Sequence, residues 1–146
     1  LDNVIAENIA ANPNPYLNRT GIINSGDLTI TGGSYKGAVD MVSNSGDISI
    51  DGTSFDGANV ISLSGTGTNT IANSTITSSG TAIVISGSTT SVTDTSITAS
   101  TILSSSGGTV DFTNVTANGT NTMISNNKYV SIFAVLHFLT ICKISS

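Results

Sequence analysis

The side chains able to do chemistry are few and unevenly spread along these 146 residues. The single His, His137, and the single Cys, Cys142, both lie in the apolar stretch 129–142. A Ser-His-Asp or Cys-His nucleophile would need one of them in a polar cleft, so both read as ordinary tail residues. One His and one Cys also fall short of a zinc ligand set. The carboxylates offer more. Asp27 and Asp47 each close an Asn-Ser-Gly-Asp run, twenty residues apart, with Asp40 just upstream of the second and Asp51 and Asp56 downstream. Paired acids could act as glycosidase acid and base, or could hold calcium through oxygen ligands. The reading we adopt is structural: Asp27 and Asp47 are turn residues whose carboxylates bond local backbone amides.

Cations sharpen this reading. No Lys or Arg occurs between Lys36 and Lys128, so Arg19 and Lys36 alone could neutralise a uronate carboxylate, and both lie toward one end. There is no Trp, and Tyr35 and Phe55 are expected to point inward, which leaves no platform for sugar stacking. The sequence therefore assigns no catalytic, cofactor-binding or metal-ligating residue, and we expect a protein that is not an enzyme. Asn-x-Ser/Thr sequons at Asn18, Asn73, Asn114 and Asn118 are glycan acceptors only on an export route that glycosylates; a chain so rich in Asn, Ser and Thr produces several by composition.

These side chains must be held by an unusual framework. Charged residues make up 9% of the chain, against about 25% in an ordinary soluble domain. The net charge of -5 excludes a basic nucleic-acid surface. One Cys excludes a disulfide scaffold, and the scarcity of strong helix formers argues against a helical bundle. Ser, Thr, Asn and Gly wet the surface instead.

The framework is a repeat. Asn24-Ser25-Gly26-Asp27 recurs as Asn44-Ser45-Gly46-Asp47, and Leu28–Tyr35 is followed in kind by Ile48–Phe55. Pairs of apolar anchors five residues apart continue as Ile71/Ile76, Val92/Ile97 and Val110/Val115, so first anchors fall at 30, 50, 71, 92 and 110. A second apolar cluster follows each pair: Val39/Met41, Val60/Ile61/Leu63, Ile83/Val84/Ile85, Ile102/Leu103 and Met123/Ile124. The runs are short, β-branched and alternating, which is strand periodicity, and Gly, Asn, Asp and Ser fall where turns need them. No unit can bury its few apolar side chains alone, whereas stacking each strand about 4.8 Å above its equivalent makes a continuous column. About 20 residues per turn suits a three-sided coil, and the Leu-x-x-Leu-x-Leu frame of leucine-rich repeats is absent. The sequence thus predicts an all-β fold: a single-stranded parallel β-helix, or β-solenoid, of five coils of 18–21 residues over 22–125. Right-handed crossovers are the general expectation for parallel strands.

The pattern also names the columns. Ile30, Ile50, Ile71 and Val92 should form one inward ladder, continued by Val110 or Phe112. Tyr35, Phe55, Ile76, Ile97 and Val115 should form the next. Thr29, Ser49, Thr70 and Ser91 should line up outside, beside Thr31, Asp51, Ala72 and Thr93. A flat ice-binding array suggested by Thr29-Ile30-Thr31 is broken by Asp51, Ala72 and Asp111.

The flanks depart from the repeat. Residues 1–21, with Asn12-Pro13-Asn14-Pro15, are expected to be a cap or connecting segment. Residues 126–146 form an apolar cap or tail. Its 129–142 stretch is shorter than the ~20 residues of a spanning helix, so a last coil covering the open end is the leading reading, ahead of an assembly joint, an anchor or foreign sequence.

The run Gly67–Gly87 (GTNTIANSTITSSGTAIVISG) and the run Gly108–Val115 (GTVDFTNV) resemble the passenger repeats of bacterial autotransporter adhesins. These belong to the wider pectin-lyase-like group of parallel β-helices. The resemblance covers 22–125, about 70% of the chain, and rests on repeat style. The paired-Asp and Arg-Lys signatures of enzyme members fall on no residues here. The chain is shorter than most passengers and lacks a recognisable membrane β-barrel, which suggests a fragment or a stand-alone β-helix, and the absence of Met at position 1 suggests a processed or excised chain. The resemblance implies an exported module at the cell surface or outside the cell that attaches to a cell-surface or matrix glycan or protein. The competing expectation is a subunit that associates with itself, end to end, into an extracellular fibre. A carbohydrate-active enzyme using Asp27, Asp47 or Asp51 ranks third.

Overall fold

The computed structural model describes residues 1–2, 4–9, 20–37, 40–126, 137–138 and 143–145. Every element among them is a β-strand. In chain order these are β1 (Ile5–Ile9), β2 (Thr20–Asn24), β3 (Leu28–Thr31), β4 (Ser34–Gly37), β5 (Asp40–Asn44), β6 (Ile48–Asp51) and β7 (Ser54–Gly57). They continue as β8 (Ile61–Leu63), β9 (Thr68–Ala72), β10 (Thr75–Thr93), β11 (Ser96–Thr113), β12 (Thr116–Asn126), β13 (His137–Phe138) and β14 (Lys143–Ser145).

Pairing is parallel throughout and sorts these strands into three walls. Wall 1 stacks β3, β6, β9 and the final residues of β10 and β11. Wall 2 stacks β1, β4, β7, the opening residues of β10, β11 and β12, and then β13. Wall 3 stacks β2, β5, β8, the middles of β10 and β11, the end of β12 and β14. The chain visits the walls in turn, so the fold is a parallel β-solenoid of about five turns, as the repeat predicts. In β10 and β11 extended backbone runs through the corners as well, with the bends absorbed at register shifts.

The inward columns carry the core. On wall 1, Ile30, Ile50, Ile71, Val92 and Phe112 stand in register, and each is at most 2% exposed. Phe112 therefore completes this ladder. Val110 also faces inward, two residues earlier, in the column of Leu28, Ile48, Asn69 and Thr90. On wall 2 the register runs Tyr35, Phe55, Ile76, Ile97 and Ala117. This corrects the expectation of Val115: counting five residues on from Phe112, as in every other coil, reaches Ala117. Val115 is buried at the corner instead. Burying one such aliphatic side chain is worth about 1.5–3 kcal/mol, a gain that only the stack supplies. The rings of Tyr35 and Phe55 add a stacked contact, with centroids 5.3 Å apart at 22°.

The corner between walls 1 and 2 repeats one backbone device. Gly32, Gly52, Asn73, Asp94 and Asn114 occupy equivalent positions with φ between 49° and 65°. Only Gly, Asn and Asp appear there, the residue types that enter the left-handed region most readily. The amides of Gly32, Gly52, Asn73 and Asp94 donate to carbonyls in the next coil at 2.7–3.1 Å. The residue after the turn is buried in four coils, as the hydroxyl residues Thr53, Ser74 and Thr95 and as Val115. Thr53 N–H donates to Ser74 Oγ (3.2 Å), and Ser74 N–H to Thr95 Oγ1 (3.4 Å). The two hydroxyls donate in turn to the carbonyls of Ala72 (2.6 Å) and Thr93 (2.8 Å). Corner amides that would otherwise be buried without partners are thereby satisfied.

The described parts of the flanks join the stack. Asp2 bridges Thr31, and β1 lies beneath β4. Ten residues separate β1 from β2, against two between β4 and β5. At the other end His137 and Phe138 pair with Thr116 and Ala117, and Ile144 pairs with Ile124. Asn18, Arg19, Val39, Lys128 and, apart from His137 and Phe138, all of 129–142 including Cys142 lie outside the described residues. Among the described residues no helix is long and apolar enough to cross a membrane.

Candidate functional site

The carboxylates singled out by sequence are distributed around the coil rather than gathered into a cleft. Asp27 and Asp47 precede the paired strands β3 and β6, so they stand in adjacent coils at the corner of walls 3 and 1. Asp47 Oδ1 accepts the Thr68 N–H at 2.8 Å. This amide belongs to the next coil, whereas the sequence pointed to a local one. Asp51, at the end of wall 1, accepts from Asn73 Nδ2 at 2.7 Å. Asp94 receives Asn114 Nδ2 in the same way two coils on. Asp56, on the outer side of wall 2, pairs with Lys36 at 3.2 Å. Asp40 begins wall 3 and accepts from Asn59 Nδ2 at 2.9 Å. Each of these five carboxylates thus ties its own coil to a neighbour, and Lys36 is one of the ties. Among the described residues no three His, Cys, Asp or Glu side chains converge as a metal site would require.

Two of the sequon asparagines belong to this same set of ties. Asn73 and Asn114 sit at the left-handed corner, exposed, with their amide nitrogens turned to Asp51 and Asp94. Asn118 is half-buried on wall 2. A shorter ladder, Asn24 Nδ2 to Asn44 Oδ1 at 2.8 Å, closes the corner of walls 3 and 1 in the first coils, where Asn44 also donates to the Gly46 carbonyl at 2.7 Å.

The most built-up feature on the outside lies at the corner of walls 2 and 3. A groove of about 160 Å³ is lined by Asp40, Val42, Asn59, Val60, Ile61, Ser62 and Val84. The Asn59 side chain is fixed from both sides: its Nδ2 donates to Asp40, and its Oδ1 accepts the Thr81 N–H at 2.9 Å. Gly80 makes room for it. A Cβ at position 80 would stand 2.6 Å from Asn59 Oδ1 and 2.8 Å from the Ala58 carbonyl oxygen. The Ala58 carbonyl in turn accepts from Gly80 N–H (2.8 Å) and Ser78 Oγ (2.7 Å). Sequence reasoning flagged Asp40 as a nearby acid and passed over Asn59, Ser62 and Gly80. The readable signal was the spacing of Asp40 and Asn59, nineteen residues or one coil apart.

Elsewhere the outer walls carry hydroxyls. Thr29, Ser49, Thr70 and Ser91 are exposed in register on wall 1, as the pattern predicts, and Thr70 Oγ1 donates to Ser49 Oγ at 3.3 Å. Ser54, Thr75 and Ser96 form an exposed line on wall 2, beside Thr77 and Thr98. No family model, no curated protein and no solved structure matches the chain.

Proposed function

We propose that this chain is a non-enzymatic attachment module that works outside the cell, adhering to a cell-surface or matrix glycan or protein. One observation carries the reading. Asp40, Asp47, Asp51, Asp56 and Asp94 serve as ties between coils, while most of the outward positions on walls 1 and 2 present Ser and Thr. A hydroxyl-lined surface with little charge offers many directional hydrogen bonds and little long-range attraction, which suits close contact with a polar neutral surface. Its resemblance to adhesin passenger repeats agrees with this role. The test is saturable binding of the labelled, folded chain to intact cells and to extracellular matrix. Binding that competes with unlabelled chain supports attachment, and a folded sample that binds neither surface contradicts it.

A second reading has its own observation. Among the described residues, Ile5 (73%), Ile23 (60%) and Leu1 (53%) are the exposed large hydrophobics, and all lie on the first coil, where β1 and β2 each pair on one side. One-sided strands are templates for further pairing, so the coil ends could join subunits into a fibre. Light scattering across a concentration series decides this: growing mass with threads by microscopy favours the fibre, and a constant monomer mass removes it.

A further inference from the structure

We infer that Asn73 and Asn114 are glycan acceptors, each taking a hexose on its side-chain nitrogen, with Asp51 and Asp94 orienting the amides that receive it. Composition explains why the chain holds several Asn-x-Ser/Thr runs. It does not explain the place that two of them share. Asn73-Ser74-Thr75 and Asn114-Val115-Thr116 sit at the same corner of walls 1 and 2, two coils apart, each opening on a left-handed Asn (φ 51° and 53°). The turn alone does not call for Asn, since Gly32 and Gly52 make it in the first coils.

Presentation is the first condition. A transferase must reach both the Asn amide and the hydroxyl two residues on. At both corners the middle residue, Ser74 or Val115, is buried, so the residues on either side of it face out. Asn73, Asn114 and Thr75 are exposed, and Thr116 is half-buried. In the coil before Asn73 the corner is open: among the described residues, a Cβ added at Gly52 would meet no atom beyond its chain neighbours closer than 4.0 Å. The two asparagines stand roughly 9–10 Å apart along the stack, with Asp94 between them, which leaves width for a sugar on each. Asn118 differs. It lies within β12, half-buried and in register with Thr98, with no corner to project it.

The carboxylates supply the second condition. An Asn side chain carries two N–H groups. Asn73 gives one to Asp51 Oδ1 at 2.7 Å, and Asn114 gives one to Asp94. That bond fixes the amide plane and leaves the other N–H for substitution. A carboxylate on one N–H also polarises the amide and raises electron density on the nitrogen, the atom that must act as nucleophile. Transfer breaks the bond between the anomeric carbon of a nucleotide-activated hexose and its phosphate oxygen, and forms a bond from that carbon to Nδ2. One Nδ2 proton passes to a base on the transferase, and the nucleoside diphosphate leaves with the electron pair. The N–H held by Asp51 or Asp94 stays in place, so the tie between coils survives the modification.

The test incubates the folded full chain with a soluble, sequon-specific N-glycosyltransferase and a nucleoside-diphosphate hexose, and locates the product by mass spectrometry of proteolytic fragments. The expected result is hexose on Asn73 and on Asn114, with none on Asn118. Each acceptor is the internal control for the other. Asp51→Ala, which repeats Ala72 of the next coil, should slow the reaction at Asn73 at least about fivefold, the loss expected when a charge-assisted hydrogen bond is removed, and leave Asn114 unchanged. Asp94→Gly, which keeps the left-handed turn as Gly52 does, should do the reverse. Far-UV circular dichroism, together with the unaffected acceptor, shows that each variant keeps the fold. Three results would overturn the assignment: no hexose on either corner Asn, Asn118 modified as fast as the corner pair, or carboxylate variants that fail to separate the two rates. Cell and matrix binding plays no part in this readout, so the acceptor sites and the attachment role stand or fall separately.

Discussion

Replacing Tyr35 by Phe should stabilise the protein. Tyr35 is 4% exposed, stacked on Phe55, and its hydroxyl oxygen has no hydrogen-bond partner among the described residues. A buried polar group left unpaired costs about 1–3 kcal/mol. Tyr35→Phe removes that cost and keeps the ring contact. It leaves a gap of one oxygen atom, on the order of 10 Å³, which at about 24 cal/mol per Å³ opposes the gain by a few tenths of a kcal/mol. The net expectation is about 1–2 kcal/mol. For a chain of this size each kcal/mol moves Tm by roughly 2–4 °C, so a rise of about 2–8 °C is expected. Urea unfolding followed by far-UV circular dichroism measures it as a higher midpoint at unchanged slope. A pH arm gives an independent check. Burial raises the Tyr35 pKa above its ordinary 10.0, so the folded state holds its proton more tightly than the unfolded one. Stability from this linkage is intact below pH 10 and is lost as pH rises through the folded value. The gap between Tyr35→Phe and wild type should therefore widen above pH 10. A loss of 0.5 kcal/mol or more in Tyr35→Phe would refute the reasoning, because it would mean that the hydroxyl has a partner worth keeping.

Other predictions follow from the corner and from the ties between coils. Ser74→Ala strips the Thr53 amide of its acceptor and should cost about 1–2 kcal/mol in urea unfolding, whereas Ser74→Thr, the residue of the adjacent coils, should be nearly neutral. At Asn73, φ is 51°; Asn73→Val should be less stable than Asn73→Gly by about 1–2 kcal/mol, since a β-branched residue pays the full left-handed penalty. The Lys36–Asp56 pair is well exposed, so Lys36→Ala should change stability by less than about 0.5 kcal/mol, a difference that shrinks further in 0.5 M salt.

Much of this fold is legible in the sequence because its core repeats by kind. Ile30, Ile50 and Ile71 are the same residue at almost constant spacing, and a stack of equivalent strands is the arrangement that buries them all. The last coil was harder. Val110 and Phe112 both face inward, because alternate residues of one strand share a face, so alternation could not choose between them. Ala117 is too small to announce itself as an anchor, and Val115 stood in for it. The inward hydroxyls were hidden for the opposite reason: Thr53, Ser74 and Thr95 have surface-like side chains, and only the three-dimensional corner shows that Ser74 and Thr95 cap buried amides while Thr53 donates to the carbonyls of Gly32 and Asp51. Asn69 and Thr90 are buried similarly, with Asn69 Oδ1 accepting the Ile48 N–H at 3.1 Å. The groove could not be read from sequence, since Asn59 and Val84 come from different coils and the space between them depends on register.

The central claim is the stack itself, with each coil in register upon the last. Inter-strand amide and Hα nuclear Overhauser contacts in the labelled chain test it directly. The account predicts an unbroken series along wall 1 linking Ile30, Ile50, Ile71, Val92 and Phe112, and another along wall 2 ending at Ala117. A series that ends at Val110 or Val115, or contacts between antiparallel neighbours, would contradict it.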